Sequence, residues 1–351
     1  ALEVQTTDDA GAWRTVAVSG GSFLNEYIAL DAGTETVRIR PKDGKGRLFI
    51  AELHVFGEGD VPDWVQQWEA PLDKAENVRR QICLTLEEMN IQPESSHHEQ
   101  GPGQNEVDFR YAEALEAADN FVTFKWVVKS MASSSGLFAS FLPKPLPHAP
   151  GSGLHLSVSI NKNGKNLFQP SFEKSAEGQS FVAGILQRAA EMTIFCNPLT
   201  NSFQRLGEFE APKYITWSHQ NSRPLITVPL SEDSTAHRFK LRAFDGCINP
   251  YIVFALLIHA GLDGIERKLE LPPEATAETL KLTDRQMLEA GYTPLPRSLK
   301  EALDVFEDSQ FMKDALGEHI HSFFLKKKRD EWHKFESTIT EWEIKHYLAN
   351  S

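Results

Sequence analysis

Cysteine is scarce in this chain, with only Cys83, Cys196 and Cys247 among 351 residues. Three scattered thiols neither staple a fold nor form a Cys-x-x-Cys metal knuckle, so each reads as a small apolar residue and a reducing, cytoplasmic setting is expected. Long apolar runs are missing too. The best candidate, residues 251–262, is about half of the roughly 20 residues that span a bilayer. Ala1-Leu2-Glu3-Val4 is not a basic stretch leading into an apolar core, so no secretory signal is expected. Positive charge is in deficit: 36 lysines and arginines face 49 aspartates and glutamates, a net charge of -13. A surface of that sign repels phosphate backbones and anionic headgroups, so neither nucleic acid nor membrane is expected as a partner.

What is present is an ordinary globular mixture, 41% hydrophobic and 24% charged, long enough to bury a large core. The first 60 residues read as a short β region. Val37-Arg38-Ile39-Arg40 alternates, and residues 48–56 form a second extended run, before a connector at 57–63. Residues 73–90 read as a helix capped by Asp73, with Val78, Ile82, Leu86 and Met89 on one stripe. Residues 112–131 repeat the pattern with Leu115, Ala118, Phe121, Phe124 and Val128, and Gly136 ends it. In 154–160, Leu154, Leu156, Val158 and Ile160 alternate with His155, Ser157 and Ser159, the pattern of a strand. Asn161-Lys162-Asn163-Gly164-Lys165 then reads as a hairpin loop. Helices at 178–191 and 251–269, strands at 214–229 and 237–244, and a helical tail at 298–348 complete the pattern. In the tail, Leu299, Leu303 and Phe306 form one stripe, and Phe323, Trp332, Phe335, Trp342 and Tyr347 are expected in core or subunit packing.

Several polar clusters stand out. In Ser96-His97-His98-Glu99-Gln100-Gly101-Pro102-Gly103-Gln104-Asn105-Glu106, a Gly-Pro-Gly turn folds the chain back and aims Glu99 and Glu106 at one point. Such a carboxylate pair begins an oxygen-rich site for a hard divalent cation; the alternative is a solvated loop. His97 and His98 are adjacent and do not share a helical face, which argues against a zinc helix. Gly151-Ser152-Gly153-Leu154-His155 is a tight glycine loop entering a strand, a means of bringing backbone amides to a polar ligand. Period two puts Arg238, Lys240 and Arg242 on one strand face, where like charges call for water or a bridging anion. Arg205 and Glu210 bracket a short loop and suit a carboxylate clamp and an ammonium partner respectively.

In this order the motifs resemble those of the glutamine synthetase family, in its bacterial type I branch. The resemblance runs from about Pro71 to Leu348 through His97-His98-Glu99, Pro102-Gly103-Gln104, Glu106, Asp119-Asn120, Pro143-Lys144-Pro145, Gly151-Ser152-Gly153, Asn249-Pro250-Tyr251 and Gly261-Leu262-Asp263-Gly264. It implies an α+β fold, an antiparallel sheet half-barrel flanked by helices. An abbreviated, β-grasp-like N-terminal domain is expected at 1–60 and the catalytic domain with its helical tail at 61–351. It also implies ATP, Mg²⁺ or Mn²⁺, glutamate as a ligand, and assembly into hexameric or double-hexameric rings; active paralogues are further expected partners of an impaired chain.

Carried over by motif, Glu99 and Glu106 are implied ligands of a metal that supports glutamate and ammonium, His155 of a second metal that aligns the transferring phosphoryl group, and Glu52 is a further implied metal ligand; Arg238 and Ser159 are implied ATP contacts. Gly151, Arg205 and Arg242 are implied to bind substrate, and Glu210, Arg205 and Arg242 to act in catalysis. Six positions depart from the pattern: His54, Pro150, Ser157, Ser222, Thr227 and Lys240. Lys240 replaces a carboxylate ligand, and a protonated ammonium offers no lone pair to a metal. The expected function is a glutamine-synthetase-like protein of the ATP-dependent carboxylate–amine ligase lineage, impaired in catalysis and serving a structural or regulatory role. The alternative is an active ligase joining glutamate to ammonia or another amine through a γ-glutamyl phosphate.

Overall fold

The structure, a computed structural model, describes residues 2–7, 13–19, 37–41, 74–219, 223–229 and 237–348. The expected strand at 48–56, the connector at 57–63 and residues Glu52, His54, Asp73 and Ser222 lie outside them. The chain divides into two compact units, Ala1–Lys74 and Ala75–Ser351.

In the first unit, β1 (Leu2–Thr7), β2 (Trp13–Ser19) and β3 (Val37–Pro41) form an antiparallel sheet in the order β2-β1-β3. The second unit opens with α1 (Lys74–Glu88). Val78, Ile82 and Leu86 of its stripe are buried with Ile91 and Val127 in a small separate core. Met89 falls beyond the last helical turn and is exposed. The hairpin β4 (Pro93–His98) and β5 (Asn105–Phe109) follows, then α2 (Ala114–Ser134), which buries Ala118 and Phe121 but exposes Leu115.

Next come β6 (Leu156–Val158) and the small hairpin β7 (Asn161–Lys162) and β8 (Lys165–Asn166), turning at Asn163 and Gly164, both at positive φ. This is the Asn-Gly turn that matches the twist of paired strands. After α3 (Ala176–Cys196) the sheet is completed by β9 (Trp217–Ser218), β10 (Ile226–Thr227) and β11 (Phe239–Leu241), in the order β6-β11-β10-β9. Phe239 and Leu241 point into the main core, leaving Lys240 on the opposite face as the period of two requires. Regular pairing is shorter than the alternation suggested. Pro224 and Pro229 have no N–H to continue the ladder on either side of β10.

The sheet is mixed, because β10 pairs with β9 in parallel while β6, β11 and β10 are antiparallel. A parallel return normally needs a long crossover. Here each strand is two residues long, so the chain retraces only about 7 Å, and a loop suffices. The result is the expected α+β arrangement of a sheet flanked by helices.

Among the described elements, α3 and α4 (Pro250–Glu266) pack against each other most extensively. One side of α4 is buried, while Tyr251, Ile258 and Leu262 are exposed, so this helix is half-buried rather than wholly internal. Asn249 caps it by accepting from the Ile252 amide at 3.3 Å, with Pro250 in the first turn. Asn249→Ala is expected to cost about 1 kcal/mol and to lower the thermal midpoint by a few degrees, as read by calorimetry.

After the short α5 (Asp284–Glu289), the tail comprises α6 (Leu299–Asp308), α7 (Gln310–Glu336) and α8 (Glu341–Tyr347). Leu299, Leu303 and Phe306 are buried as their stripe implies, and Trp332 packs partly against the core. Phe323, Phe335, Trp342 and Tyr347 are exposed and lie outside this chain's core.

Candidate active site

The β4–β5 hairpin builds the acidic end of the site. His97 stands directly across from Glu106, and the turn closes through the Glu99 amide donating to the Gln104 carbonyl at 2.9 Å. Two-residue spacing puts Glu99 on the side of His97, and Asp108 on the side of Glu106. His97 Nε2 lies 2.9 Å from Glu99 Oε1, and ligand atoms of His97, Glu99 and Glu106 all fall within 4.8 Å of one another. Glu106 is held up at about 7, first by loss of hydration and then by the negative charges of Asp108 and Glu99, with His97 opposing them. Crowded carboxylates of this kind are relieved by a cation, and one imidazole with two carboxylates is a donor set suited to Mn²⁺ or Mg²⁺. The residues fit a divalent ion.

Gln104 joins this hairpin to the glycine loop. Its Nε2 donates to the Gly151 carbonyl at 3.0 Å, while its Oε1 accepts from the Gly101 amide at 3.0 Å. The loop is pinned from below by Ser152 donating to Pro143 O and Leu154 donating to Phe244 O, both at 2.8 Å. A Cβ on Gly151 would sit 2.7 Å from Arg205 Cγ. Only glycine lets the loop lie so close over that arginine.

Arg205 is almost wholly buried, and Nη2 donates to the carbonyls of Ala243 and Phe244, the latter at 2.9 Å. Asp245, also fully buried, accepts from the Cys247 amide at 2.9 Å and from Asn197 Nδ2 at 3.3 Å. Desolvation lowers the Arg205 pKa to about 10, and Asp245 opposes the shift. The guanidinium is thus committed in part to the backbone, with Nη1 nearest the Gly153 side of the loop.

His155 begins the polar face beside β6. Its ring reaches solvent but is crowded by protein; lost hydration, then Lys240, Arg242 and Arg205, lower its pKa to about 3, with Asp108 opposing. His155 is therefore neutral at ordinary pH. Lys240 and Arg242 are half-buried, Arg238 is exposed, and burial lowers the pKa of both Lys240 and Arg242. Arg242 interacts electrostatically with Glu210 and Glu106, linking the exposed Glu210 loop to the hairpin. Ser159 lies just past β6 and is exposed.

Three of the departures prove to be neighbours. Lys240 pairs with Ser157 on one side and Thr227 on the other, so Ser157, Lys240 and Thr227 form one row across the sheet. Pro150 immediately precedes the Gly151 loop and is partly buried.

Residues 64–347 match the family described as the glutamine synthetase catalytic domain. The chain belongs to the glutamine synthetase family. The glutamine synthetase of Methanosarcina mazei is 43% identical over 284 residues, which cover 80% of this chain and 63% of that protein. That of Thermus thermophilus is 42% identical over 284 residues, with 80% and 64% covered. Among solved structures, a GmaS/ADP complex in conformation 1 aligns with a TM-score of 0.70 at 31% identity, covering 78% of this chain and 64% of that one. The cryoEM structure of Plasmodium falciparum glutamine synthetase aligns with a TM-score of 0.70 at 26% identity, covering 79% and 62%. The chain therefore spans a little under two thirds of the length of these relatives.

The structure brings Glu99 and Glu106 together, while His155, which the resemblance assigns to a second metal, lies outside their cluster and among cations. Two positions of the candidate site are not marked out by reading the sequence as a polar loop. His97 joins the cluster that could hold a metal, and Asp108 supplies a negative charge that acts on His155 and Lys240. The signal for both is the two-residue spacing from Glu99 and Glu106, which becomes informative once β4 and β5 are known to be strands.

Proposed function

We propose that this chain acts as an ATP- and Mg²⁺- or Mn²⁺-dependent ligase, joining glutamate to ammonia or another amine through a γ-glutamyl phosphate. The observation that supports this reading is the convergence of His97, Glu99 and Glu106 on one hairpin face, tied by Gln104 to the loop over Arg205. His97, Glu99 and Glu106 hold the divalent ion, which when bound offsets negative charge gathered at the reacting carboxylate and phosphates. Arg205 Nη1, Arg242 and the Gly151 loop seat glutamate, and Glu210 covers the site and accepts from the incoming amine. Arg238 and Ser159 face the nucleotide. The same reading takes the chain as a member of the bacterial type I branch, working in the cytoplasm in hexameric or double-hexameric rings, with the β region of residues 1–60 as a shortened N-terminal domain.

A second reading, catalytic impairment with a structural or regulatory role beside active paralogues, is favoured by the row Ser157, Lys240 and Thr227. Together with Pro150, His54 and Ser222, these residues replace groups that the family pattern places around phosphate, metal and glutamate.

One assay separates the two. The full chain is supplied with ATP, Mn²⁺ or Mg²⁺, glutamate and ammonia, and ADP release is coupled to γ-glutamyl product. Turnover on the order of 1 per second, a usual enzymatic rate, supports the ligase. Folded, metal-binding protein without product overturns it in favour of the second reading.

A further inference from the structure

The family resemblance implies two cation positions, but among the described residues only one has a clustered set of donors, the hairpin triad of His97, Glu99 and Glu106. The named donor of the other position, His155, is confronted by Lys240, Arg242 and Arg205, with Asp108 the acid that faces it. Its neighbours on the sheet add no negative charge: the residues flanking Lys240 across the ladder are Ser157 and Thr227, whose neutral hydroxyls do not offset the cations. A dication placed there would meet three fixed positive charges.

Lys240 itself is well placed to serve as that charge. It lies at the centre of the four-stranded sheet, and its ammonium is attracted by Glu106 and Asp108 of the hairpin and repelled by Arg238 and Arg242 on its own strand. The acids of the hairpin and the arginines of its own strand therefore act on this charge in opposite senses. Lysine delivers a compact, strongly hydrated point charge with three donors, the chemistry with which proteins meet phosphate and carboxylate oxygens.

We infer that this site takes one divalent cation per chain, at His97, Glu99 and Glu106, and that the Lys240 ammonium stands in place of a second, binding the anionic ligand directly. The cation count rests on the donors of the described residues and on the cations around His155; the anion-binding half rests on the ligase reading above.

The test is Mn²⁺ titration of the full chain and of Lys240→Glu, Lys240→Met and Lys240→Arg, read by calorimetry and by the electron paramagnetic resonance of free Mn²⁺. One Mn²⁺ per chain is expected for the native protein and for the Met and Arg variants, and two for Lys240→Glu, whose carboxylate joins His155. Two equivalents on the native chain overturn the inference, as does a Lys240→Glu protein that stays at one while its circular dichroism is native. Inorganic phosphate is then titrated into Mn²⁺-saturated protein. Lys240→Met is expected to weaken phosphate binding at least tenfold and Lys240→Arg to retain it; unchanged affinity in Lys240→Met overturns the anion-binding role. None of these readouts needs turnover, so an inactive protein with one Mn²⁺ leaves the inference standing, and an active one with two removes it alone.

Discussion

Replacing Glu106 by glutamine is expected to weaken Mn²⁺ binding about 100-fold or more and to reduce its pH dependence. Losing even a group that supports a metal ligand costs 10–100-fold, and Glu106 supplies one of three donors in the triad. The carboxyl sits at about 7 instead of 4.5, through lost hydration first and the charges of Asp108 and Glu99 next. A metal takes the carboxylate form, so below about pH 7 each Mn²⁺ bound must displace a proton, and apparent affinity falls about tenfold per pH unit. In Glu106→Gln that proton is gone and the profile flattens. Calorimetry in buffers of different ionisation enthalpy reads the proton directly; native protein that releases none at pH 6 contradicts the assignment.

The same shift sets the direction of a stability change. Between pH 4.5 and 7 the folded protein retains a proton on Glu106 that the unfolded chain has already lost. The native state binds more protons there, so stability without metal falls as pH rises through this window. Mn²⁺ opposes the fall by stabilising the carboxylate. Glu106 is only partly buried, and solvent screening reduces the size of the effect but not its sign. Thermal midpoints across this range, with and without Mn²⁺, are expected to converge at the acid end and to separate near neutrality.

The largest effect on stability is expected at the crossing of α3 and α4. A Cβ on Gly264 would lie 2.8 Å from the Gly184 Cα and closer still to the Ser180 carbonyl oxygen. A Cβ on Gly184 would lie 2.9 Å from the Gly264 Cα and also meet the Ala260 carbonyl. Both obstacles are backbone, so no side chain can turn aside, and the helices themselves must separate. In an exposed helix, glycine to alanine gains about 1 kcal/mol. Here Gly264→Ala is expected to cost about 3 kcal/mol, the upper part of the range for overpacking, and to lower the thermal midpoint by about 6–12 °C. Gly261→Ala is expected to cost less, because what it meets is the Phe181 ring, a side chain. Denaturant titration checks the order, and a Gly264→Ala protein as stable as the native one rules out this close approach.

The helices were legible because burial imposes a local rhythm. Val78, Ile82 and Leu86, or Leu299, Leu303 and Phe306, state in sequence the face that must leave water, and those residues are buried. The Asn163-Gly164 turn was legible for a conformational reason, since both residues adopt positive φ. The turn between β4 and β5 was legible in the same way, but their strand character was not. Most of β4 is exposed, so its strand character leaves no apolar alternation to read, and His97 and Asp108 went unrecognised with it.

The sequence by itself determined the family, the alternation that puts Arg238, Lys240 and Arg242 on one strand face, and the paired carboxylates Glu99 and Glu106, because each depends on neighbours a few residues apart. Only the tertiary structure decided that Ser157, Lys240 and Thr227 form a single row and that Arg205 is locked beneath the Gly151 loop. It alone also set Lys240 between the acids of the hairpin and the arginines of its own strand. Those relations join residues far apart in the chain through sheet register and core packing, and charge acts through space, so no local pattern records them.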